Sequence, residues 1–286
     1  MLRKNLICLI LFPIFLFSSC IASKEKSEEE RFAPMEEKID SSTPLKNPNL
    51  EKPETKPPVP DDIWDVRDVD ISYIDPSRKL ISFTFDDAPA KTLENILAVF
   101  ASFNEQNPDC PASATLFING SLCNEENMHT LRAAHVLRFE LGNHTHAHKD
   151  LSSLSEEELL FEIERTDAIL QTIDGKPFHL LRAPYGKLSD TVRAVAKTPI
   201  LDWTIDTLDW TGVSADEMYD TVFQNRADGS IVLMHDGHSN TVEALKRLLP
   251  DLKKEGYKVV SISAMAKQHR CALKRGSVYV RARKQT

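Results

Sequence analysis

The sequence predicts an α/β barrel of parallel strands, and three observations carry that expectation. Seven apolar runs of strand length alternate with longer amphipathic stretches, the pattern that builds βαβ units with right-handed crossovers. No dinucleotide-type glycine fingerprint accompanies them, which favours a barrel over an open nucleotide-binding sheet. Nearly every apolar run also ends in polar residues, and in such barrels the C-terminal strand ends share one rim.

The strands are expected at 80–85, 113–118, 135–141, 178–181, 199–205, 230–234 and 257–262. In the first, Ile81, Phe83 and Phe85 alternate with Ser82 and Thr84, the period of a strand with one buried face. Helical patterns lie near 91–104, 122–134, 155–173, 189–197, 214–226 and 240–255. Ser155 with Glu158 forms a capping box at the start of one, and Gly256 suits the end of the last.

The rim then carries Asp86-Asp87, Asn119-Gly120, the stretch from His144 to His148, Arg182 to Gly186, Asp206 to Trp210, and His235-Asp236. A lone Asp-Asp after a strand is usually a polar turn. Here two adjacent carboxylates need a cation or a proton to compensate them. His144 and His148 are four apart, a spacing that puts both imidazoles on one side of a helical turn. One Asp and two His make a three-ligand divalent-metal set with positions left open. The same ligand types serve non-haem Fe(II) oxygenases, but with the carboxylate and the two imidazoles in a different chain order.

Outside this region the chain reads as exported. Arg3 and Lys4 precede an apolar core from Leu6 to Phe17, too short for a comfortable membrane span, and then Ser18-Ser19-Cys20. A Cys after two small residues resembles a bacterial lipobox, which makes Cys20 the lipidated first residue, although Phe17 stands where that motif prefers Leu. Residues 1–19 are therefore a signal segment. Residues 20–62 read as a disordered tether; from 21 onward they hold seven of sixteen prolines and no glycine. About 40 such residues reach at most roughly 120 Å at about 3.1 Å each. The catalytic domain is expected at 63–270, and 271–286 as a basic, frayed tail.

Net charge is −8, and losing Arg3 and Lys4 takes it to −10, which disfavours nucleic acid as a partner. Besides Cys20, the cysteines Cys110, Cys123 and Cys271 lie outside the signal. No Cys110–Cys123 bridge is expected, because roughly 20 Å of strand separates them.

Five motifs now stand in order: Thr84-Phe85-Asp86-Asp87, His144-Thr145-x-x-His148, Arg182-x-Pro184-Tyr185, Asp206-x-x-Asp209-Trp210 and Leu233-x-His235. In this the chain, over about residues 78 to 265, resembles the polysaccharide deacetylases, the NodB-homology domain of carbohydrate esterase family 4. One departure is Ala88, where the family usually has Gly; its methyl is expected to narrow the backbone's approach to substrate.

The resemblance implies a distorted, incomplete (β/α)7 barrel and removal of N-acetyl groups from a polysaccharide. It implies Asp87, His144 and His148 as metal ligands, with Zn²⁺ first and Co²⁺ or another divalent ion compatible. Asp86 is the implied base and Arg182 its partner. A backbone N–H at Tyr185 is the implied oxyanion donor, and His235 the implied acid, supported by Asp209 with Asp206 in reserve. Trp210, Leu233 and Pro184 match the residues that line the substrate pocket. His146 should point away from the metal, and His238 stands near enough to His235 to line the cleft. An O-acetyl esterase and a non-catalytic carbohydrate-binding lipoprotein are the other readings. The expected partners are peptidoglycan or chitin-like oligomers and, through Cys20, a membrane; the expected state is a monomeric cell-envelope lipoprotein.

Overall fold

In the computed structural model the described residues are 60–283. The signal segment, Cys20 and nearly all of the expected tether lie outside them. Strand β1 (Lys79–Ala88) is the axis of the sheet. It pairs in parallel with β2 (Thr115–Ile118) on one side and β6 (Ser230–His235) on the other, while β7 (Tyr257–Val259) pairs with its N-terminal end. Strand β3 (Glu140–Asn143) extends the sheet beyond β2, and β5 (Ile205–Asp206) beyond β6.

From β3 the ladder passes through a single residue, Leu181, to β4 (Ile200–Leu201). Between β4 and β5 the chain crosses from one edge of the sheet to the other. There Asp202 N–H donates to Tyr279 and Thr204 N–H to Ile231. The result is the distorted, incomplete barrel.

The alternation in β1 has the expected period, but neither face meets water. Ile81, Phe83 and Phe85 pack outward against α1 (Leu93–Gln106) and α6 (Ser239–Lys254). Leu80 points the other way, clustering with Phe117, Leu180, Leu201 and Ile231 inside the barrel. Ser82, Thr84 and Asp86 share that inner face, all buried. Full burial of each Phe or Leu is worth about 1.5–3 kcal/mol. Phe100 of α1 adds edge contacts to Phe85 and Phe139 at 6.3 and 4.8 Å.

Four expected strands shift. The run 135–141 is divided: α2 (Met128–Val136) ends within it, Leu137 and Arg138 turn with Arg138 left-handed at φ 65°, and pairing begins at Glu140. The run 178–181 keeps only the Leu181 bridges, since neighbouring Pro199 has no N–H to continue a ladder. The run 199–205 divides into β4 and β5. The last run stops at Val259, because Ser261 caps α7 (Ile262–Gln268).

Helix α3 (Glu156–Asp174) begins with the Ser155–Glu158 capping box and α4 (Asp190–Val195) with Ser189. Gly256, φ 80°, ends α6, while α5 (Ala215–Asn225) carries a second box from Ser214 and Glu217.

The expected basic tail is not frayed through residue 283. Strand β8 (Val278–Tyr279) pairs with β4, Trp64 N–H donates to Leu273, and Ala282 is fully buried. Its cations sit outward while its small apolar residues close the barrel's edge. Cys110, Cys123 and Cys271 are free.

Candidate active site

The C-terminal end of β1 delivers two carboxylates facing different ways. Asp86 is buried and points inward; Asp87 follows with φ 61°, which turns its side chain onto the rim. His144 follows β3, and its Nδ1 donates to the Arg182 carbonyl at 2.8 Å. A carbonyl only accepts, so this bond fixes the tautomer and leaves Nε2 with a free lone pair. Burial also holds the His144 imidazole below its ordinary value despite the neighbouring Asp86 and Asp87 carboxylates.

His148 is brought alongside by a loop rather than by the expected helical turn. Thr145 and His148 both adopt left-handed backbone, φ 70° and 52°. Such conformations in L residues cost on the order of 1–3 kcal/mol each and persist only where surroundings hold them. The two imidazole centroids lie 4.9 Å apart.

Asp87 Oδ1 stands 3.3 Å from His148 Nε2 and 3.8 Å from His144 Nε2, and the three ligand atoms all lie within 4.8 Å of one another. Tetrahedral Zn²⁺ with ligands at about 2.0–2.1 Å requires neighbouring ligand atoms roughly 3.3 Å apart. The donor set and its spacing therefore fit a divalent ion. His146 is not part of this group; its ring instead meets Phe161 edge-on at 6.3 Å.

Arg182 is fully buried. It donates to Asp86 at 2.8 Å, to Thr84 at 2.6 Å, and to the carbonyls of Leu201 and Asp202. Its guanidinium lies 4.1 Å from the Phe117 ring centroid and 5.7 Å from that of Trp203. Each of these contacts fixes the plane in which Asp86 is held.

Across the site, His235 at the end of β6 donates from Nδ1 to Asp209 at 2.8 Å. Asp209 also accepts from the His235 and Trp210 N–H groups and the Thr241 hydroxyl. Asp206 accepts from Leu208 N–H instead. Asp209 is thus the partner of His235. Burial alone would depress the His235 imidazole, but the Asp209 hydrogen bond and the charges of Asp86, Asp209 and Asp87 raise it above its ordinary value. The His238 ring lies 6.3 Å from that of His235, at the cleft edge.

Tyr185 is exposed, with φ 61°, and meets His148 edge-on at 4.8 Å. Pro184 starts the same turn and is buried, Trp210 is exposed on the rim, and Leu233 is buried in β6 beside Thr84. Ala88 does not narrow the cleft. It is fully buried opposite Ile118, and its methyl lies in the core against α1.

Residues 73–199 match the family model for polysaccharide deacetylase. A peptidoglycan-N-acetylglucosamine deacetylase of Bacillus cereus is 32% identical over 206 residues, covering 66% of this chain and 89% of the relative. The chain belongs to the polysaccharide deacetylase family. Another family member, the peptidoglycan-N-acetylmuramic acid deacetylase PdaC of Bacillus subtilis, is 30% identical over 196 residues. That match covers 67% of this chain but 40% of PdaC. The solved PdaC structure superposes with TM-score 0.63 and 30% identity, over 69% of this chain and 94% of that one. A T48 deacetylase solved with substrate gives 0.66 at 26% identity, over 72% and 99%.

Sequence reasoning gave no supporting role to Thr84, Phe117, Asn143, Glu162, Trp203 or Asp236, although Thr84 stands in the first motif and Asp236 on the rim. Asp236 is buried and binds the N–H groups of Ala90 and Thr92, tying the loop after Asp87 to β6. Glu162 and Asp167 had a readable signal, since both interrupt the apolar stripe of α3.

Proposed function

We propose that this chain is a metal-dependent N-deacetylase acting on N-acetylglucosamine units of peptidoglycan. The observation that carries the reading is the convergence of Asp86, Asp87, His144, His148, Arg182 and the His235–Asp209 pair on one rim. The names of the Bacillus relatives support the substrate class.

In this reading Asp87, His144 and His148 hold the ion, Zn²⁺ first and Co²⁺ or another divalent ion as alternatives. When bound, it polarises an amide carbonyl and acidifies water. Asp86 accepts the proton of the attacking water, with Arg182 fixing its direction. The Tyr185 backbone N–H donates to the oxyanion as charge develops. His235 carries its second proton on Nε2 and delivers it to the leaving amine, while Asp209 holds the ring. Trp210, Leu233 and Pro184 wall the acetyl pocket.

The enzyme is exported, anchored through lipidated Cys20 in the cell envelope, and works as a monomer on a polymer within reach of its tether.

Acetate release from chitooligosaccharide and from acetylxylan, with and without chelator, tests the reading. Chelator-sensitive release from the amide substrate is expected. Release from acetylxylan alone would hand the site to the O-acetyl esterase reading, which a bifunctional xylanase/deacetylase relative of Pseudobutyrivibrio xylanivorans keeps in view. No release from either substrate would leave a carbohydrate-binding protein.

A further inference from the structure

Helix α3 buries Leu159, Glu162, Thr166, Asp167 and Leu170. Two of these are carboxylates at positions where helical periodicity calls for apolar side chains. Glu162 is 1% exposed and Asp167 5%. A carboxylate buried to that degree needs partners to offset its lost hydration.

Each has a partner in or at the start of the loop that carries the two histidines, and Asp167 also accepts from His179. Glu162 Oε2 accepts the backbone N–H of Ala147 at 2.6 Å, one residue before His148. Asp167 Oδ1 accepts from Asn143 Nδ2 at 2.9 Å, and Asn143 Oδ1 accepts the Thr145 N–H at 2.8 Å. The strained loop is thus held from α3 at two points, at Thr145, one of its left-handed residues, and at Ala147, immediately before the other. Its relaxation would separate the imidazole nitrogens that now stand near Asp87.

We propose that Glu162 is a positioning residue that sets metal affinity by holding the Ala147 N–H, and through it His148, from outside the ligand set. This rests on reading Asp87, His144 and His148 as a divalent-metal site. The competing role is a structural ion pair, because Lys149 Nζ lies 3.1 Å from Glu162 Oε1. That role depends on charge, whereas positioning depends on an oxygen acceptor facing Ala147.

The two roles separate in the full chain, stripped of metal and titrated with Zn²⁺ against a chromophoric chelator. Glu162→Gln keeps the acceptor and should bind within about threefold of wild type, as should Lys149→Met. Glu162→Leu removes the acceptor and should weaken Zn²⁺ binding by about 10- to 100-fold. Its metal-free melting temperature should fall by only several degrees, since the Ala147 N–H loses one acceptor while the half-exposed Lys149 ammonium returns to water. Wild-type affinity in Glu162→Leu overturns the proposal. So does equal weakening in Glu162→Gln or in Lys149→Met, which assigns the effect to charge. A metal-free Glu162→Leu protein that is grossly destabilised overturns it too, by giving the carboxylate to the fold. Wild type that binds no Zn²⁺ fails the metal-site reading itself, a different result.

Discussion

Asp209→Asn isolates the proposed acid from the rest of the site. Asp209 accepts four hydrogen bonds, two at each oxygen: His235 Nδ1–H and Trp210 N–H at one, His235 N–H and the Thr241 hydroxyl at the other. An asparagine NH₂ must face one of these pairs, so at least one backbone donor meets another donor. One of the three carboxylate charges that raise His235 is lost as well. Burial, which pulls an imidazole toward its neutral form, then faces only the more distant Asp86 and Asp87. A general acid contributes typically 10²–10⁴-fold, or about 2.7–5.4 kcal/mol at roughly 1.36 kcal/mol per decade. The expected loss in kcat lies in that range, with Zn²⁺ stoichiometry unchanged. The sign of the pH effect is fixed too. An acid must be protonated to act, so wild-type activity falls as pH rises through the raised His235 value. In Asp209→Asn that alkaline limb moves to lower pH. The assay is acetate release from a chitooligosaccharide across pH, with metal content measured on the same samples. A variant within a few-fold of wild type and with an unmoved alkaline limb would refute the assignment of His235 as acid.

Other outcomes follow from the same geometry. Asp86→Asn should keep its metal and lose nearly all turnover; a variant that loses the metal instead would exchange the roles of the two carboxylates. His179 is buried between Asp167 at 2.9 Å and Asp174 at 3.2 Å. Burial lowers its imidazole, but the two carboxylates outweigh that and raise it above the ordinary value near 6.5. The stability this contributes is complete below pH about 6.5 and is lost as pH rises through the folded value. Thermal unfolding of His179→Gln should therefore lack part of the alkaline decline seen in wild type, and an identical decline would remove His179 as its source. A fatty-acid analogue fed to expressing cells should label wild type and miss Cys20→Ser; unlabelled wild type would mean that Phe17 defeats the lipobox.

The chemistry-bearing residues were legible because they sit at strand ends, where a period-2 pattern stops and polar residues begin. Asp86, Asp87, His144, His148, Arg182, Asp209 and His235 all arrive at one rim for that reason. What holds them was harder to read. Arg182 owes its position to Phe117 and Trp203, and two aromatic residues in separate apolar runs give no sign of sharing a guanidinium. Spacing suggested a helical turn for His144 and His148, whereas left-handed Thr145 and His148 produce the same proximity through a loop. Such a backbone is imposed by tertiary contacts, here from α3, and L residues do not announce it. The alternation in β1 implied one buried face, and polar Ser82 and Thr84 gave no sign that the other is buried too. Barrel closure buries them, and Thr84 then donates to Val232 while accepting from Arg182. The strand at 135–141 failed locally: Val136 is apolar but exposed, the last residue of α2, and a turn at Leu137–Arg138 follows before pairing begins.

The central claim meets its most direct test in mass spectrometry of muramidase digests of peptidoglycan treated with the Zn²⁺-loaded protein. The account predicts muropeptides that have lost acetyl groups from N-acetylglucosamine, and none that have lost them when chelator is present or His148 is replaced by Ala. Fragments that keep every acetyl group after treatment with metal-loaded wild type would contradict it.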